Sequence, residues 1–212
     1  MLWIILAITL SYLLGSIPTA YILVRLLKGI DIRKFGSGNV GATNALRVLG
    51  KTAGITVLVL DIIKGFVAVI FLGNLITTRI NLPDEVLRII LGLSCISGHN
   101  WTIFLGFKGG KGMATTLGVL LGLAMKLPAL KVILGLVILT WVIVFMIIRI
   151  VSVSSVISAI TLPIYMLVFK QSQVLILSGI ILAIFIVIRH RSNLKRFFQG
   201  KEPRLTFKNK SV

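Results

Sequence analysis

Long apolar runs separated by short polar segments dominate the chain. These runs predict seven helices, which lie near residues 2–24, 54–76, 86–105, 113–125, 131–148, 150–169 and 173–188. The run 113–125 is short, because at a rise of about 1.5 Å per residue it covers only about 20 Å of the bilayer. We therefore predict an all-α, polytopic membrane bundle with seven transmembrane helices, and five or six spans are the alternative.

The composition supports a membrane protein and excludes an ordinary soluble domain. Of the 212 residues, 57% are hydrophobic and 13% are charged, whereas about a quarter are charged in soluble domains. Because the spans use most of the chain, we predict a single membrane domain over residues 1–212. Cys95 is the single cysteine, which excludes an internal disulfide. The first run lacks a preceding basic residue and a cleavage signal, so we interpret it as a retained helix.

The positive charge is concentrated on one predicted side of the membrane. The formal net charge is +18, which in a soluble protein would suggest nucleic acid. With the N-terminus outside, seventeen of the 23 Lys and Arg residues fall inside, in the connection 25–53, the turn 106–112, Arg149 and the tail from Arg189. The positive-inside rule therefore predicts an outer N-terminus, a cytoplasmic C-terminus and no nucleic-acid partner.

A glycine-rich segment, FGSGNVGATNALRVLG, occupies residues 35–50. It contains no acid, and its small residues allow successive backbone N–H groups to surround an anion. Its G-x-G-x-x-G spacing also matches a dinucleotide fingerprint, but the segment follows a hydrophobic helix rather than a strand, and Asp61 falls within another helix. We therefore predict a phosphate-binding loop that contains Ser37, Gly38, Asn39, Thr43, Asn44 and Arg47.

A second polar segment, GHNWTIFLGFKGGKGMATT, covers residues 98–116. Its lysines flank two glycines and precede a helix, whose first N–H groups favour an anion. The spacing is not that of a P-loop, because Gly112 follows Lys111 where Ser or Thr is needed. A tight interfacial turn with snorkelling lysines is the structural alternative. The predicted phosphate-binding residues are Lys108, Gly109, Gly110, Lys111 and Gly112.

The third polar segment, RHRSNLKRFFQGKEP, covers residues 189–203 and follows the last apolar run. A basic, membrane-facing stretch accounts for Lys195, Arg196 and Lys201. It does not account for His190 and Asn193, whose imidazole and amide groups form directional hydrogen bonds suited to a substrate hydroxyl.

Several polar residues lie within or at the ends of the spans. Asp61 and Lys64 are three residues apart and can meet on one helix face, which we interpret as structural pairing. Ser152 lies near an inner end, where a hydroxyl packs helices or lines a site. His99 ends the third span, either as a satisfied interfacial residue or as a catalyst. Because the polar segments share the cytoplasmic side, we predict a site for a substrate with a phosphate head and an acyl tail.

These motifs resemble those of the bacterial acyl-phosphate-dependent glycerol-3-phosphate acyltransferases. The resemblance rests on GSGNVGATN followed by Arg47, LDIIKG, GH followed by GFKGGKGMAT, and RHRSN with GKEPR, and it runs from about Leu14 to Arg204. It implies a seven-helix enzyme of the bacterial inner membrane with its active site on the cytoplasmic side. Such an enzyme transfers the acyl group of an acyl phosphate to position 1 of glycerol 3-phosphate. The products are lysophosphatidic acid and inorganic phosphate, in the first step of phospholipid synthesis.

The resemblance also implies roles for individual residues. Glu202 matches an acid that we interpret as structural, like the Asp61 and Lys64 pair. The candidate catalytic residues are Ser37, His99, His190 and Asn193. Outside the two glycine-rich segments, the candidate phosphate-binding residues are Ser152, Arg191 and Asn193.

The expected mechanism is direct attack of the glycerol 3-phosphate hydroxyl on the acyl carbon. We expect no metal and no cofactor, since the two histidines and five acids are spread along the chain. The base stays open between His99, His190 and a phosphate oxygen of the substrate, and Ser37 is disfavoured as a covalent nucleophile because no base is placed beside it. Glycerol 3-phosphate, acyl phosphate and membrane lipid are the expected partners, and the sequence defines no oligomeric state. The alternative function is a membrane transporter of a phosphorylated solute, although no inverted repeat is found.

Overall fold

The computed structural model describes residues 2–205, and every regular element within them is helical. Lys208, Lys210 and the predicted cytoplasmic C-terminus lie outside the described residues. The α-helices are α1 (Leu2–Ser16), α2 (Thr19–Lys28), α3 (Ala42–Leu49), α4 (Lys51–Val67), α5 (Gly73–Ile76), α6 (Asp84–Asn100), α7 (Met113–Lys126), α8 (Leu130–Ile148), α9 (Val151–Val168) and α10 (Gln173–Phe198). A π-helical segment joins α4 to α5 at Ala68–Leu72, and short 3₁₀ turns cover Ile32–Lys34, Thr77–Arg79 and Ile103–Leu105. The prediction of an all-α protein is confirmed for this part of the chain.

Five helical stretches among residues 2–205 are long and apolar enough to cross a membrane. They are Leu2–Lys28, Lys51–Arg79, Leu130–Ile148, Val151–Val168 and Gln173–Phe198. The helix α7 is apolar but has only 14 residues, and α6 has 17. A span needs roughly 20 residues, so the count of seven transmembrane helices stays a prediction.

The helix bounds differ from the apolar runs at three places. The first run is divided at Ile17 and Pro18 into α1 and α2, because proline has no N–H group and disfavours helical geometry in the residue before it. The third helix ends at Asn100, where the following segment turns back on it. The last helix continues to Phe198, because arginine, lysine and leucine favour helix whatever their polarity. The third polar segment is therefore largely helical.

The chain up to Leu130 forms one compact unit. Within it α1 packs against α6, and both α3 and α7 pack against α4. At the contact between α4 and α7, a Cβ atom on Gly118 would overlap the carbonyl oxygen of Ile62. A glycine is required for this close approach, as is common where membrane helices cross.

The π-helical segment of this unit is held by a buried arginine. Arg88 is 2% exposed. Its Nη1 donates to the carbonyl of Val69 at 2.6 Å, its Nη2 to Oδ1 of Asn74 at 2.8 Å and its Nε to the carboxylate of Asp84 at 2.7 Å. A π-helical turn interrupts the regular backbone hydrogen bonds of an α-helix. Arg88 therefore provides a hydrogen-bond donor that the helix backbone does not provide.

The residues from Lys131 onward form a second compact unit. In it α9 packs against α10. Two side-chain contacts link α8 to α9: Trp141 Nε1 donates to Ser155 Oγ at 3.2 Å, and the hydroxyls of Thr140 and Tyr165 lie 2.9 Å apart. Polar side chains in apolar surroundings need such partners. The single domain over residues 1–212 stays a prediction.

Candidate active site

The first glycine-rich loop is built around the side chain of Asn44, which is fully buried. Its Oδ1 accepts the backbone N–H of Ser37 at 2.8 Å. Its Nδ2 donates to the carbonyls of Phe35 at 3.0 Å and Asn39 at 2.9 Å. The amide predicted to bind phosphate is therefore occupied in shaping the loop. Sequence analysis did not predict this internal role, because it depends on the path of the loop around α3.

The loop places its polar groups at the start of α3. Gly36 and Gly38 have φ angles of 60° and 71°, and Gly41 precedes the first turn of the helix. The first N–H groups of a helix have no partner within it and favour an anion. Ser37 and Arg47 are both exposed. The first unit therefore carries a hydroxyl, a helix start and a guanidinium on one short segment, a combination suited to phosphate.

The single acid of the connection 25–53 is paired with a neighbouring arginine. Asp31 accepts the backbone N–H of Arg33 at 3.0 Å, and its carboxylate lies 2.6 Å from the guanidinium of the same residue. The hydrogen bonds from Arg33 lower the pKa of Asp31 from 3.8 to about 2. This acid is therefore ionised and held by Arg33 at neutral pH.

The second glycine-rich segment folds back on the C-terminal end of α6. The N–H of Gly110 donates to the carbonyl of His99 at 2.9 Å, and the N–H of Gly109 donates to that of Asn100 at 3.2 Å. These bonds satisfy carbonyls at the end of the helix. Gly112, with a φ of 81°, then begins α7. The segment therefore joins the end of one helix to the start of the next, with the partly buried Lys111 between them. Lys108 is exposed.

Asp61 and Lys64 form a buried pair, which belongs to a larger network of side chains. Their charged groups lie 2.8 Å apart. Lys64 Nζ is also 2.8 Å from Nδ1 of His99 and 3.2 Å from the carbonyl of Ile17. Thr19 donates its hydroxyl to Asp61 Oδ1 at 2.7 Å. The network thus links α4, the break between α1 and α2, and the end of α6.

The third polar segment places its functional groups on one turn of α10. Nδ1 of His190 lies 2.8 Å from the carbonyl of Ile186. A carbonyl oxygen only accepts, so Nδ1 carries the proton and the lone pair of a neutral ring is on Nε2. Asn193 lies three residues further on and is also buried, whereas Arg191 is exposed.

The carboxylate of Glu202 accepts hydrogen bonds from three side chains of the second unit. Its Oε1 accepts from Ser152 at 2.9 Å and from Nδ2 of Asn193, and its Oε2 accepts from Arg196 at 2.8 Å. Burial opposes ionisation, but the hydrogen bonds from Asn193, Arg196 and Ser152 outweigh it and lower the pKa of Glu202 below 4.5. The assignment of Arg196 to the lipid-facing stretch missed this contact. The carboxylate fixes the amide of Asn193 and the hydroxyl of Ser152.

The candidate residues fall into three groups, two within the first unit and one within the second. The first unit contains the loop around Asn44 and the network around His99. The second contains the group around Glu202. Among residues 2–205, no three His, Cys, Asp or Glu side chains are arranged to hold a metal ion.

The chain is similar to known proteins over nearly its whole length. A family model described as glycerol-3-phosphate acyltransferase matches residues 5–200. The chain belongs to the glycerol-3-phosphate acyltransferase family. A relative with that name from Trichormus variabilis is 44% identical, over 93% of this chain and 90% of the relative. Another, from Chlorobium phaeobacteroides, is 40% identical over 98% of both chains.

Two solved structures share the fold with this member of the glycerol-3-phosphate acyltransferase family. Both are of PlsY (YgiH), an integral membrane glycerol 3-phosphate acyltransferase. The glycerol 3-phosphate form has a TM-score of 0.84 and 33% identity, over 96% of both chains. The lysophosphatidic acid form has a TM-score of 0.81 and 32% identity, over 96% of this chain and 95% of the other. The family resemblance is confirmed, and so is the multi-pass integral membrane protein.

Proposed function

We propose that this protein transfers an acyl group from an acyl phosphate to position 1 of sn-glycerol 3-phosphate. The products are lysophosphatidic acid and inorganic phosphate, and the reaction begins phospholipid synthesis. The observation that carries the proposal is the similarity, over 96% of both chains, to the glycerol 3-phosphate form of PlsY. The acyl phosphate donor is supported by the motif resemblance and by two glycine-rich segments suited to anions.

The first proposed task of the protein is to hold phosphate. Ser37, the start of α3 and the guanidinium of Arg47 offer neutral donors and a positive charge on one segment. The second segment offers Lys111 and the start of α7. Because Asn44 is engaged with the loop backbone, we assign it to shaping the loop instead of contacting the substrate.

The second task is to orient the reacting hydroxyl. Glu202 accepts a hydrogen bond from Nδ2 of Asn193, which fixes the orientation of the amide. The hydroxyl of Ser152 donates to the same carboxylate, which leaves its oxygen able to accept. We propose that this group orients the glycerol part of the substrate, since a fixed acceptor restricts the angle of attack.

The reaction itself needs few chemical groups. The hydroxyl oxygen attacks the acyl carbon, a C–O ester bond forms, and the C–O bond to phosphate breaks, so inorganic phosphate leaves. The hydroxyl proton passes to a phosphate oxygen or to Nε2 of His190, whose Nδ1–H is committed to Ile186. Positive charge and N–H groups around the phosphates stabilise the negative charge that develops as the bond breaks. The protein supplies these from its own side chains and backbone.

We further propose seven transmembrane helices, an outer N-terminus and an active site on the cytoplasmic face of the bacterial inner membrane. The distribution of Lys and Arg supports this orientation. It places the three polar segments on the side where phosphorylated metabolites are made. In this topology α6 and α7 are the remaining two of the seven spans, and they are shorter than a typical span, with 17 and 14 residues.

The proposal is tested with purified protein, palmitoyl phosphate and labelled glycerol 3-phosphate. We expect lysophosphatidic acid from palmitoyl phosphate and none from palmitoyl-CoA. Ser37→Ala and Arg47→Ala should each lower the rate by about 100-fold or more, as loss of one transition-state donor does. Arg25→Ala is the matched control, because Arg25 is an exposed arginine of the same connection, and it should keep full activity.

Two results would count against the proposal. Folded protein that forms no product from palmitoyl phosphate would exclude the reaction. Liposomes that accumulate labelled glycerol 3-phosphate without acylation would support the transporter instead. Equal loss of activity in Arg47→Ala and Arg25→Ala would show that Arg47 contributes only general positive charge.

A further inference from the structure

We infer that the Asp61–Lys64 pair fixes the proton of His99 on Nε2, so that His99 is a hydrogen-bond donor toward the segment 109–112 and not the catalytic base. Lys64 is then a positioning residue that acts through His99. The catalytic consequence rests on the proposed function, whereas the position of the proton does not.

The ammonium group of Lys64 is surrounded by as many acceptors as it has donors. An ammonium group has three N–H donors and no acceptor. Three acceptors surround Nζ: Asp61 Oδ1 at 2.8 Å, His99 Nδ1 at 2.8 Å and the carbonyl of Ile17 at 3.2 Å. Each acceptor therefore takes one proton. Because Nδ1 of His99 accepts, a neutral ring carries its proton on Nε2.

Lys64 carries its positive charge in this network. Lys64 and Asp61 are 5% and 1% exposed. A buried carboxylate without a cation is strongly unfavourable, so the 2.8 Å pair is an ion pair. The distance from Asp61 Oδ1 to His99 Nδ1 is 3.6 Å, which is too long for a hydrogen bond. Thr19 donates to the same carboxylate oxygen at 2.7 Å. Asp61 is thus satisfied by Lys64 and Thr19, and Nδ1 of His99 faces the ammonium.

Nε2 of His99 lies on the side of the ring that faces the glycine segment. A Cβ atom on Gly110 would overlap Nε2 of His99, so this edge of the ring lies against the backbone of the glycine segment. The N–H of Gly110 also donates to the carbonyl of His99 at 2.9 Å. The Nε2–H group is therefore directed at the segment that carries Lys111. A donor there supports an anion-binding segment, whereas a lone pair would oppose it.

The two histidines thus have opposite tautomers. His190 donates from Nδ1 to Ile186 and has its lone pair on Nε2, whereas His99 accepts at Nδ1. Since the chain contains only these two histidines, selective labelling with ¹⁵N-histidine yields two ring systems in the full-length protein. The ¹⁵N shifts distinguish the two neutral tautomers and the imidazolium.

The test measures these shifts in detergent at neutral pH, and His190→Gln assigns the signals by removing one ring. We expect one neutral ring protonated on Nε2, assigned to His99, and one protonated on Nδ1. Lys64→Met should move the His99 ring away from the Nε2–H tautomer and leave His190 unchanged. Lys51→Met is the control, because Lys51 is an exposed lysine of the same helix, and it should move neither ring.

The kinetic arm uses the same variants with palmitoyl phosphate. Lys64→Met should lower kcat about 10- to 100-fold, as loss of a residue that orients a ligand typically does, with a smaller change in KM for glycerol 3-phosphate. Lys64→Met leaves Asp61 buried without its cation, so the double variant Asp61→Leu, Lys64→Met is the second test. Removing both charges preserves folding better than removing one. Nδ1 of His99 then loses the donor from Lys64, so its ¹⁵N shift should move to that of a lone pair that accepts no hydrogen bond from Lys64.

The outcomes separate the inference from the proposed function. A wild-type His99 ring that is protonated on Nδ1, or is an imidazolium, overturns the inference. Ring ¹⁵N shifts of His99 that are unchanged in both variants overturn it as well. If Lys64→Met changes the protonation of the His99 ring but leaves kcat unchanged, the positioning role is excluded. Wild-type protein with the expected tautomers and no acyltransferase activity would refute the proposed function and leave the proton assignment intact.

Discussion

The side chain of Asn44 accepts the backbone N–H of Ser37 at 2.8 Å across seven residues of the chain. The same side chain donates to two loop carbonyls on its other edge. A single buried amide therefore fixes the conformation of the loop in which Ser37 is exposed. This is a structural role for a residue in a segment otherwise suited to substrate phosphate.

The first prediction concerns Asn44→Asp. Aspartate keeps the acceptor for Ser37 but replaces the donor with a second acceptor, which then faces the carbonyls of Phe35 and Asn39. The loop should open, and an added negative charge should repel phosphate. We expect KM for glycerol 3-phosphate to rise at least about tenfold, which equals about 1.4 kcal/mol of binding. Steady-state kinetics at saturating palmitoyl phosphate measures this.

The control for Asn44→Asp is Asn81→Asp. Asn81 is an exposed residue outside the regular elements, so the same chemical change should leave KM within about twofold. If both variants raised KM equally, the effect would come from net charge and not from the loop.

The second prediction concerns pH. Glu202 has a folded pKa below its ordinary value of 4.5. The stability that it contributes is therefore complete above pH 4.5 and is lost as pH falls through the lower folded pKa. The apparent Tm of the wild-type protein should fall as pH is lowered below about 5. The apparent Tm of Glu202→Gln should be lower at neutral pH and should change less with pH.

A second acid shapes the same profile in both proteins. Asp31 has a pKa lowered from 3.8 to about 2, so its contribution is also lost on acidification, and equally in both proteins. The difference between wild type and Glu202→Gln therefore isolates Glu202. Thermal unfolding followed by intrinsic fluorescence from pH 7 to pH 3 makes the comparison, and parallel curves would contradict the role assigned to Glu202.

Local spacing predicted the features that depend on a single helix. The three-residue separation of Asp61 and Lys64 predicted a pair because such residues share a helix face, and the pair is present at 2.8 Å. The apolar runs predicted where helices lie, because burial in lipid needs long apolar stretches. The continuation of α10 to Phe198 was missed because hydropathy marks the span and not the end of the helix.

Contacts between distant residues were beyond the reach of local spacing. His99 contacts Lys64, which is 35 residues away in sequence, and Ser152 contacts Glu202, which is 50 residues away. Neither separation has a helical period, so only the tertiary fold brings these groups together. The role of Asn44 in shaping the loop could not be predicted for another reason. The same amide can bind phosphate or backbone groups, and the path of the loop decides between them.

The third prediction concerns Gly112, where α7 begins with a φ of 81°. Gly112→Ala should be strained by about 1–2 kcal/mol in this left-handed conformation, and its Cβ would lie 2.7 Å from Oδ1 of Asn100. A displaced helix start should lower kcat/KM about tenfold or more, because small displacements of binding groups slow reactions strongly. Product formation from palmitoyl phosphate is the measurement.

A matched glycine serves as the control for Gly112→Ala. Gly135 lies within α8, and a Cβ there would have no neighbour within 4 Å. Gly135→Ala should keep activity and be neutral or slightly stabilising, since alanine favours helix over glycine by about 1 kcal/mol. A loss of activity in Gly135→Ala as large as in Gly112→Ala would argue against a specific role for the turn.

The fourth prediction concerns Arg88, whose side chain binds Val69, Asn74 and Asp84. Arg88→Met removes the donors to Val69 and Asn74 and leaves a carbonyl of the π-helical segment without its partner in apolar surroundings. Leaving a buried acceptor unsatisfied costs about 1–3 kcal/mol. We expect a clearly lower apparent Tm, with the kcat of the folded enzyme unchanged at low temperature because the residue touches no candidate site group.

An exposed arginine distinguishes this effect from loss of charge. The guanidinium of Arg79 lies 4.5 Å from the ring centre of Trp3, and such an exposed contact contributes only about 0.5–1 kcal/mol. Arg79→Met should therefore lower the Tm much less than Arg88→Met. Arg88→Lys should lie near Arg88→Met, because one ammonium cannot reach Val69, Asn74 and Asp84 as the planar guanidinium does. A lysine variant as stable as wild type would show that charge alone, and not the geometry of the guanidinium, holds the π-helical segment in place.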